Sequence, residues 1–101
     1  MLTIKKTIDQ QELTFALNGR LDMLTAPDLE KELQEMPKEI TSLVFDCKDL
    51  EYISSAGIRM FLIAIKRLGS SVKAVHVNES VMEILEAVGL VSVMNIEKEA
   101  S

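Results

Sequence analysis

The chain has 101 residues, 48% of them apolar and 27% charged, with a formal net charge of −5. That length suits one domain around one core, and the composition is too apolar for a disordered segment. The acidic balance, without any run of five like charges, argues against an unassisted polyanion binder, so no nucleic-acid partner is expected.

The opening residues, MLTIKKTIDQ, lack the basic flank and unbroken apolar run of a signal peptide. No later stretch approaches the roughly 20 apolar residues of a membrane span. The expectation is a cytoplasmic protein without direct membrane contact. Leu2, Ile4 and Ile8 fall on even positions, and Leu13, Phe15 and Leu17 alternate with Thr14, Ala16 and Asn18. Both segments read as strands with one wet face, joined through Asp9-Gln10-Gln11 as a hairpin.

TAPDLEKELQEM reads as a helix. Thr25 can cap it, with Asp28 at capping-box spacing and Pro27 tolerated in the first turn. Leu29, Leu33 and Met36 share one face, and Asp28, Glu30, Glu32 and Glu35 form a solvated one. Pro37 stops the helix. SLVFDC is a short continuous apolar run that suits a central buried strand. Its Cys47, the chain's one cysteine, cannot form an internal disulfide, which favours a reducing compartment. It reads as a small buried hydrophobe.

AGIRMFLIAIKRLGS reads as the next helix, with Lys66 and Arg67 in its last turn and Gly69 as its C-terminal cap. At about 3.6 residues per turn, Ile58, Phe61, Leu62, Ile65 and Leu68 form the core face. Arg59, Lys66 and Arg67 mark the wet face, and Met60 and Ile63 fall among these charges, which fits either ordinary exposed apolar residues or a partner surface. SVKAVHVN is a strand. NESVMEILEAVGL is a helix capped by Asn78, with Val81, Ile84, Leu85 and Val88 on one face and Gly89 at its end. VSVMNIE is a last short strand. The sum is one α/β domain over residues 1–101: a mixed sheet of four to five strands, an N-terminal hairpin, about three helices and right-handed crossovers.

The segment EYISSAGIRM, residues 51–60, stands where the central strand hands over to a helix. A helix N-terminus carries unpaired N–H groups and about half a positive charge, so a hydroxyl there can cap the helix or accept a phosphate. Neither Gly57 nor Ile58, three residues after Ser54 and Ser55, can reciprocate a capping box. Gly57 also costs a helix about 1 kcal/mol relative to alanine. With Ala56 it leaves the surroundings of Ser55 bare, so that a partner backbone could approach. A plain cap and a functional site both remain open on these residues.

A serine nucleophile would need a base. The one histidine, His76, lies mid-strand with no evident route to Ser55, and the serine segment is not Gly-x-Ser-x-Gly. No cysteine–histidine cluster suggests a metal. The expectation is no enzyme activity, no catalytic residue, no metal and no cofactor.

DLEYISSAGIRMFLIA resembles the signature of STAS domains, the family of bacterial anti-sigma factor antagonists. Asp49-Leu50 and Tyr52-Ile53 match its opening, Ser55 falls on the family's phosphorylated serine, and Ala56-Gly57-Ile58 matches the residues after that serine. Upstream, Leu17-Asn18-Gly19-Arg20-Leu21-Asp22 is similar to the family's Gly-x-Leu/Ile-Asp turn. Downstream, Val88-Gly89-Leu90 resembles the end of its final helix. The resemblance implies a switch. An unphosphorylated antagonist binds an anti-sigma factor that is also a serine kinase, phosphorylation of Ser55 separates the two, and a serine phosphatase resets the cycle. ATP belongs to the partner kinase. Ser54 stands where the family often has Asp; it could be a second acceptor or the helix cap. With the Met60–Ile63 pair, the expected contact residues are Asp22, Ser54, Ser55, Ala56, Gly57, Arg59, Met60 and Ile63. The alternative is a non-phosphorylated adaptor subunit of a transporter or sensory complex.

Overall fold

The computed structural model describes residues 1–99; the last two positions of the expected 1–101 domain lie outside the described residues. Strands β1 (Leu2–Asp9) and β2 (Glu12–Leu21) form the hairpin, with Ile4 opposite Leu17 and Ile8 opposite Leu13. The turn between them is two residues long, and Gln10 takes it with φ 56. A positive φ at this position matches the twist of the flanking strands, which is why short hairpins favour it.

Helix α1 (Ala26–Gln34), strand β3 (Ser42–Ile53), helix α2 (Ser55–Leu68), strand β4 (Val72–Val77), helix α3 (Glu79–Ala87) and strand β5 (Asn95–Lys98) come next along the chain. Among the described residues the five strands make one sheet in the order β1-β2-β3-β4-β5. The hairpin pair is antiparallel and the other three pairs are parallel. This is the mixed sheet the element order implies, because each strand–helix–strand step returns the chain in the same direction.

Alternation along β2 sends Leu13, Phe15 and Leu17 into the core, and β3 answers with Leu43, Phe45 and Cys47. Phe45 packs between Phe15, with ring centroids 6.2 Å apart, and Phe61 of α2, stacked at 4.3 Å. Each buried ring contributes on the order of 2 kcal/mol. Leu29, Leu33 and Met36 are buried as the helical spacing requires. Asn78 caps α3: its side-chain oxygen accepts the Val81 N–H at 2.9 Å, and its amide donates to the Leu50 carbonyl at 2.9 Å.

Three expectations change. First, α2 buries Gly57, Ile58, Met60, Phe61 and Ala64, while Leu62 is exposed. The helix is turned so that Met60 is buried and Ile63 and Ala64 lie toward α1. There Ile63 and Ala64 share a groove with Leu33 and Met36, and the Arg67 guanidinium donates to the Leu33 and Met36 carbonyls at 2.9 and 3.1 Å. Arg67 thus holds two carbonyls at and just beyond the C-terminal end of a neighbouring helix, as well as sitting at the end of its own. Second, Val88 is exposed, and VSVMNIE is a strand only from Asn95. Gly89, at φ 80, turns the chain into a 3-10 turn over Leu90–Ser92. Leu90 and Met94 are buried there at helical spacing, with Val91 and Val93 outside. Third, Thr25 occupies the N-cap position of α1 without making a side-chain cap bond.

Candidate functional site

Strand β3 ends at Ile53, where it is still paired with Leu21 at the end of β2. Ser54 continues that pairing: its N–H donates to the Leu21 carbonyl at 2.9 Å. Its extended backbone, φ −101 and ψ 179, is that of an N-cap residue, and its carbonyl accepts the Ile58 N–H at 2.9 Å. The hydroxyl does not complete the cap. Ser54 Oγ is buried and has no hydrogen-bond partner among the described residues. That corrects one role expected of Ser54: it is not the capping oxygen.

Ser55 is the first residue of α2 and is exposed. No side chain caps the turn it opens, and that turn carries no acid, so its N–H donors and partial positive charge face outward uncompensated. Ala56 is half-buried beside it. Gly57 is a correction: it faces inward, and no partner can approach there. A Cβ at Gly57 would lie 2.7 Å from Leu21 Cγ, 2.8 Å from Ile53 Cγ1 and 2.9 Å from the Leu21 carbonyl oxygen. The glycine lets the helix sit directly on the two strand ends. Met60, 5% exposed, is likewise core rather than contact surface, and Ile63 is half-buried in the α1–α2 groove.

The loop from β2 to α1 forms the other wall. Asp22 Oδ1 accepts the N–H groups of Leu24 and Thr25 at 3.0 and 3.2 Å. The Thr25 hydroxyl donates back to the Arg20 carbonyl at 2.7 Å and accepts the Asp22 N–H at 2.9 Å. These bonds take the oxygen that capping-box spacing assigns to Asp28. Partial desolvation pushes the Asp22 carboxyl up, but the bonds from Leu24 and Thr25 and the nearby Arg20 charge together hold it below its ordinary value of 3.8. Arg20 itself lies over the Tyr52 ring, 4.3 Å from its centroid, and 3.8 Å from Asp22 Oδ2. The bonded turn presents Met23 and Leu24, 75% and 83% exposed, as an apolar tip. Met23, Ser54, Ser55, Ala56 and Arg59 line one open depression of about 360 Å³, ample for a phosphoryl group.

Of the expected contact residues, then, Ser54, Ser55, Ala56 and Arg59 meet at one surface, with Asp22 anchoring its neighbouring turn. Sequence reasoning missed Met23 and Leu24. Their signal was present: two adjacent large apolar residues between a strand and a helix cap, belonging to neither periodicity.

His76 pairs with Asp46, Nδ1 to Oδ1 at 2.9 Å, on the exposed side of β4. Cys47 is fully buried, and burial pushes its thiol up to about 12, which leaves it unreactive. Among the described residues no group of three or more His, Cys, Asp or Glu could hold a metal, and no helix is long and apolar enough to cross a membrane.

The hairpin-led mixed sheet, its three helices and the serine-headed α2 define the STAS class of α/β domain. The STAS domain family profile matches residues 3–100, and the chain belongs to that family. It is 25% identical over 101 residues to an anti-sigma-B factor antagonist of Staphylococcus aureus, covering 96% of this chain and 94% of that protein. The fold is similar to that of an anti-sigma factor antagonist from Mycobacterium paratuberculosis, with a TM-score of 0.86, 20% identity, and coverage of 96% and 86% of the two chains. It is also similar to a sulfate transporter family protein from Wolinella succinogenes, with a TM-score of 0.70, 14% identity, and coverage of 86% and 74%.

Proposed function

We propose that this protein is an anti-sigma factor antagonist that controls transcription by partner switching at Ser55. The observation that carries the reading is the exposure of Ser55 at the uncapped head of α2, beside the Met23–Leu24 tip. The resemblance to the staphylococcal anti-sigma-B factor antagonist over nearly the whole chain supports it. The proposed partner is an anti-sigma factor with serine kinase activity, and a serine phosphatase reverses the modification. The contact face comprises Met23, Leu24, Ser55, Ala56 and Arg59. The protein itself acts by binding and has no catalytic residue in this scheme.

The modifying step balances as a phosphoryl transfer. Ser55 Oγ attacks the γ-phosphorus of ATP bound by the partner, the bond to the β–γ bridging oxygen breaks, ADP leaves and the hydroxyl proton is released. The product carries about −1.5 to −2 charges. In a desolvated contact this charge must be buried, and a loss of about 4 kcal/mol would weaken binding roughly a thousandfold. Use of ATP implies a cytoplasmic exchange.

The test is incubation with each co-encoded kinase and ATP, followed by intact-mass measurement. One added phosphate is expected, absent from Ser55→Ala. Ser55→Ala should bind the partner permanently and Ser55→Asp should fail to bind. Modification at another residue would refute the assignment. Failure of every co-encoded kinase to modify the chain would favour the adaptor reading, to which the loss of a carboxylate at Ser54 also lends weight.

A further inference from the structure

We infer that Arg59 is a built-in phosphate reader: once Ser55 is phosphorylated, the Arg59 guanidinium closes over its own chain's phosphate. This rests on the partner-switching reading above and extends it to how the modified state is held.

The first support is spacing. Ser55 and Arg59 are four residues apart on α2, which places them on the same face one turn apart. A helical side chain leans toward the N-terminus and covers the turn before its own Cα, so a guanidinium at position 59 can reach back over Ser55. The second is availability. Arg59 is exposed and, among the described residues, makes no ion pair; the ion pairs found there involve Lys6, Arg20 and His76. The third is a shared space. Arg59 and Ser55 line the same open depression, together with Met23, Ser54 and Ala56. No acid stands in the first turn to compete for the guanidinium.

The consequence is a switch with two components. Before modification Arg59 offers a free cation beside Ser55 to the partner. Afterwards the new dianion is added and the cation is withdrawn to neutralise part of it, through the charge-assisted, two-pronged bonding that an arginine fork makes well. One phosphoryl group would thus alter two contact points.

The test needs no kinase. Full-length protein with Ser55→phosphoserine, installed during translation, is titrated by phosphorus NMR, alone and combined with Arg59→Ala, Arg59→Lys or, as a control on the same helix, Lys66→Ala. A cation beside the phosphate favours its dianion. Arg59→Ala should therefore raise the midpoint of the second phosphate ionisation by about half a unit in low salt. Arg59→Lys should restore part of the difference and Lys66→Ala should leave it unchanged. Equal midpoints with and without Arg59, or an equal rise with Lys66→Ala, would overturn the inference. Because the phosphate is supplied without a kinase, that failure is distinct from failure of the partner-switching reading, which would show as an unmodified chain in the kinase incubation.

Discussion

Replacing Gly57 by alanine sets two effects of opposite sign against each other. In an unconstrained helix the change would stabilise by up to about 1 kcal/mol. Here the new methyl group would meet Leu21 Cγ at 2.7 Å, Ile53 Cγ1 at 2.8 Å and the Leu21 carbonyl oxygen at 2.9 Å. Leu21 and Ile53 are 0% and 1% exposed, so neither side chain has room to give. The carbonyl is already held by the Ser54 N–H at 2.9 Å. Overpacking of this kind costs about 1–3 kcal/mol. A typical steric cost of about 2 kcal/mol outweighs the gain in helix propensity, and the net destabilisation is about 1 kcal/mol. For a domain of this size that lowers Tm by roughly 4–8 °C. Urea and thermal unfolding of the two proteins side by side would measure it. A Gly57→Ala protein as stable as the parent, or more stable, would refute the claim that the first turn of α2 rests directly on the strand ends.

Ser54→Ala should stabilise the fold by about 1 kcal/mol, because it deletes a buried hydroxyl that has no partner among the described residues; chemical denaturation reads the gain. Arg67→Ala should cost about 1 kcal/mol through the lost bonds to the Leu33 and Met36 carbonyls, and hydrogen exchange should quicken at the end of α1 before it does elsewhere. Asp22 has a folded-state pKa below its ordinary 3.8, so the stability it contributes is complete above that value and is lost as pH falls through the folded value. Asp22→Asn should accordingly flatten the acid limb of a stability-against-pH curve below about pH 4 relative to the parent.

The order of elements was legible because each has a local signature: alternation in β2, the Asn78 cap, and the glycines that end α2 and α3. The phase of α2 was not. Helical periodicity alone allowed Leu62 or Met60 to face inward, and packing distant in sequence decided it: Met60 is buried, and Ile63 lies in a groove against α1. The Asp22–Thr25 turn was hidden for a related reason. Thr25 has the residue type and spacing of a cap, but the Arg20 carbonyl at the end of β2 holds its hydroxyl more closely than helix α1 does. At the site, the type and position of Ser55 were readable, whereas the Met23–Leu24 tip required the turn that presents it.

The same contacts bear on how a modification at Ser55 would act. The first turn of α2 is held by Gly57 against Leu21 and Ile53, by the Ser54–Leu21 backbone bond, and farther along by Arg67 against α1. A helix fixed at both ends has little freedom to translate in response to charge added at an exposed position. The added phosphate changes what the surface offers, and the core beneath it stays as it was. On the proposed reading, the switch is therefore an electrostatic change at a rigid contact face. Backbone amide shifts on Ser55→phosphoserine should stay confined to residues near Met23, Ser55 and Arg59. Shifts spreading to the Phe15–Phe45–Phe61 stack would contradict this account.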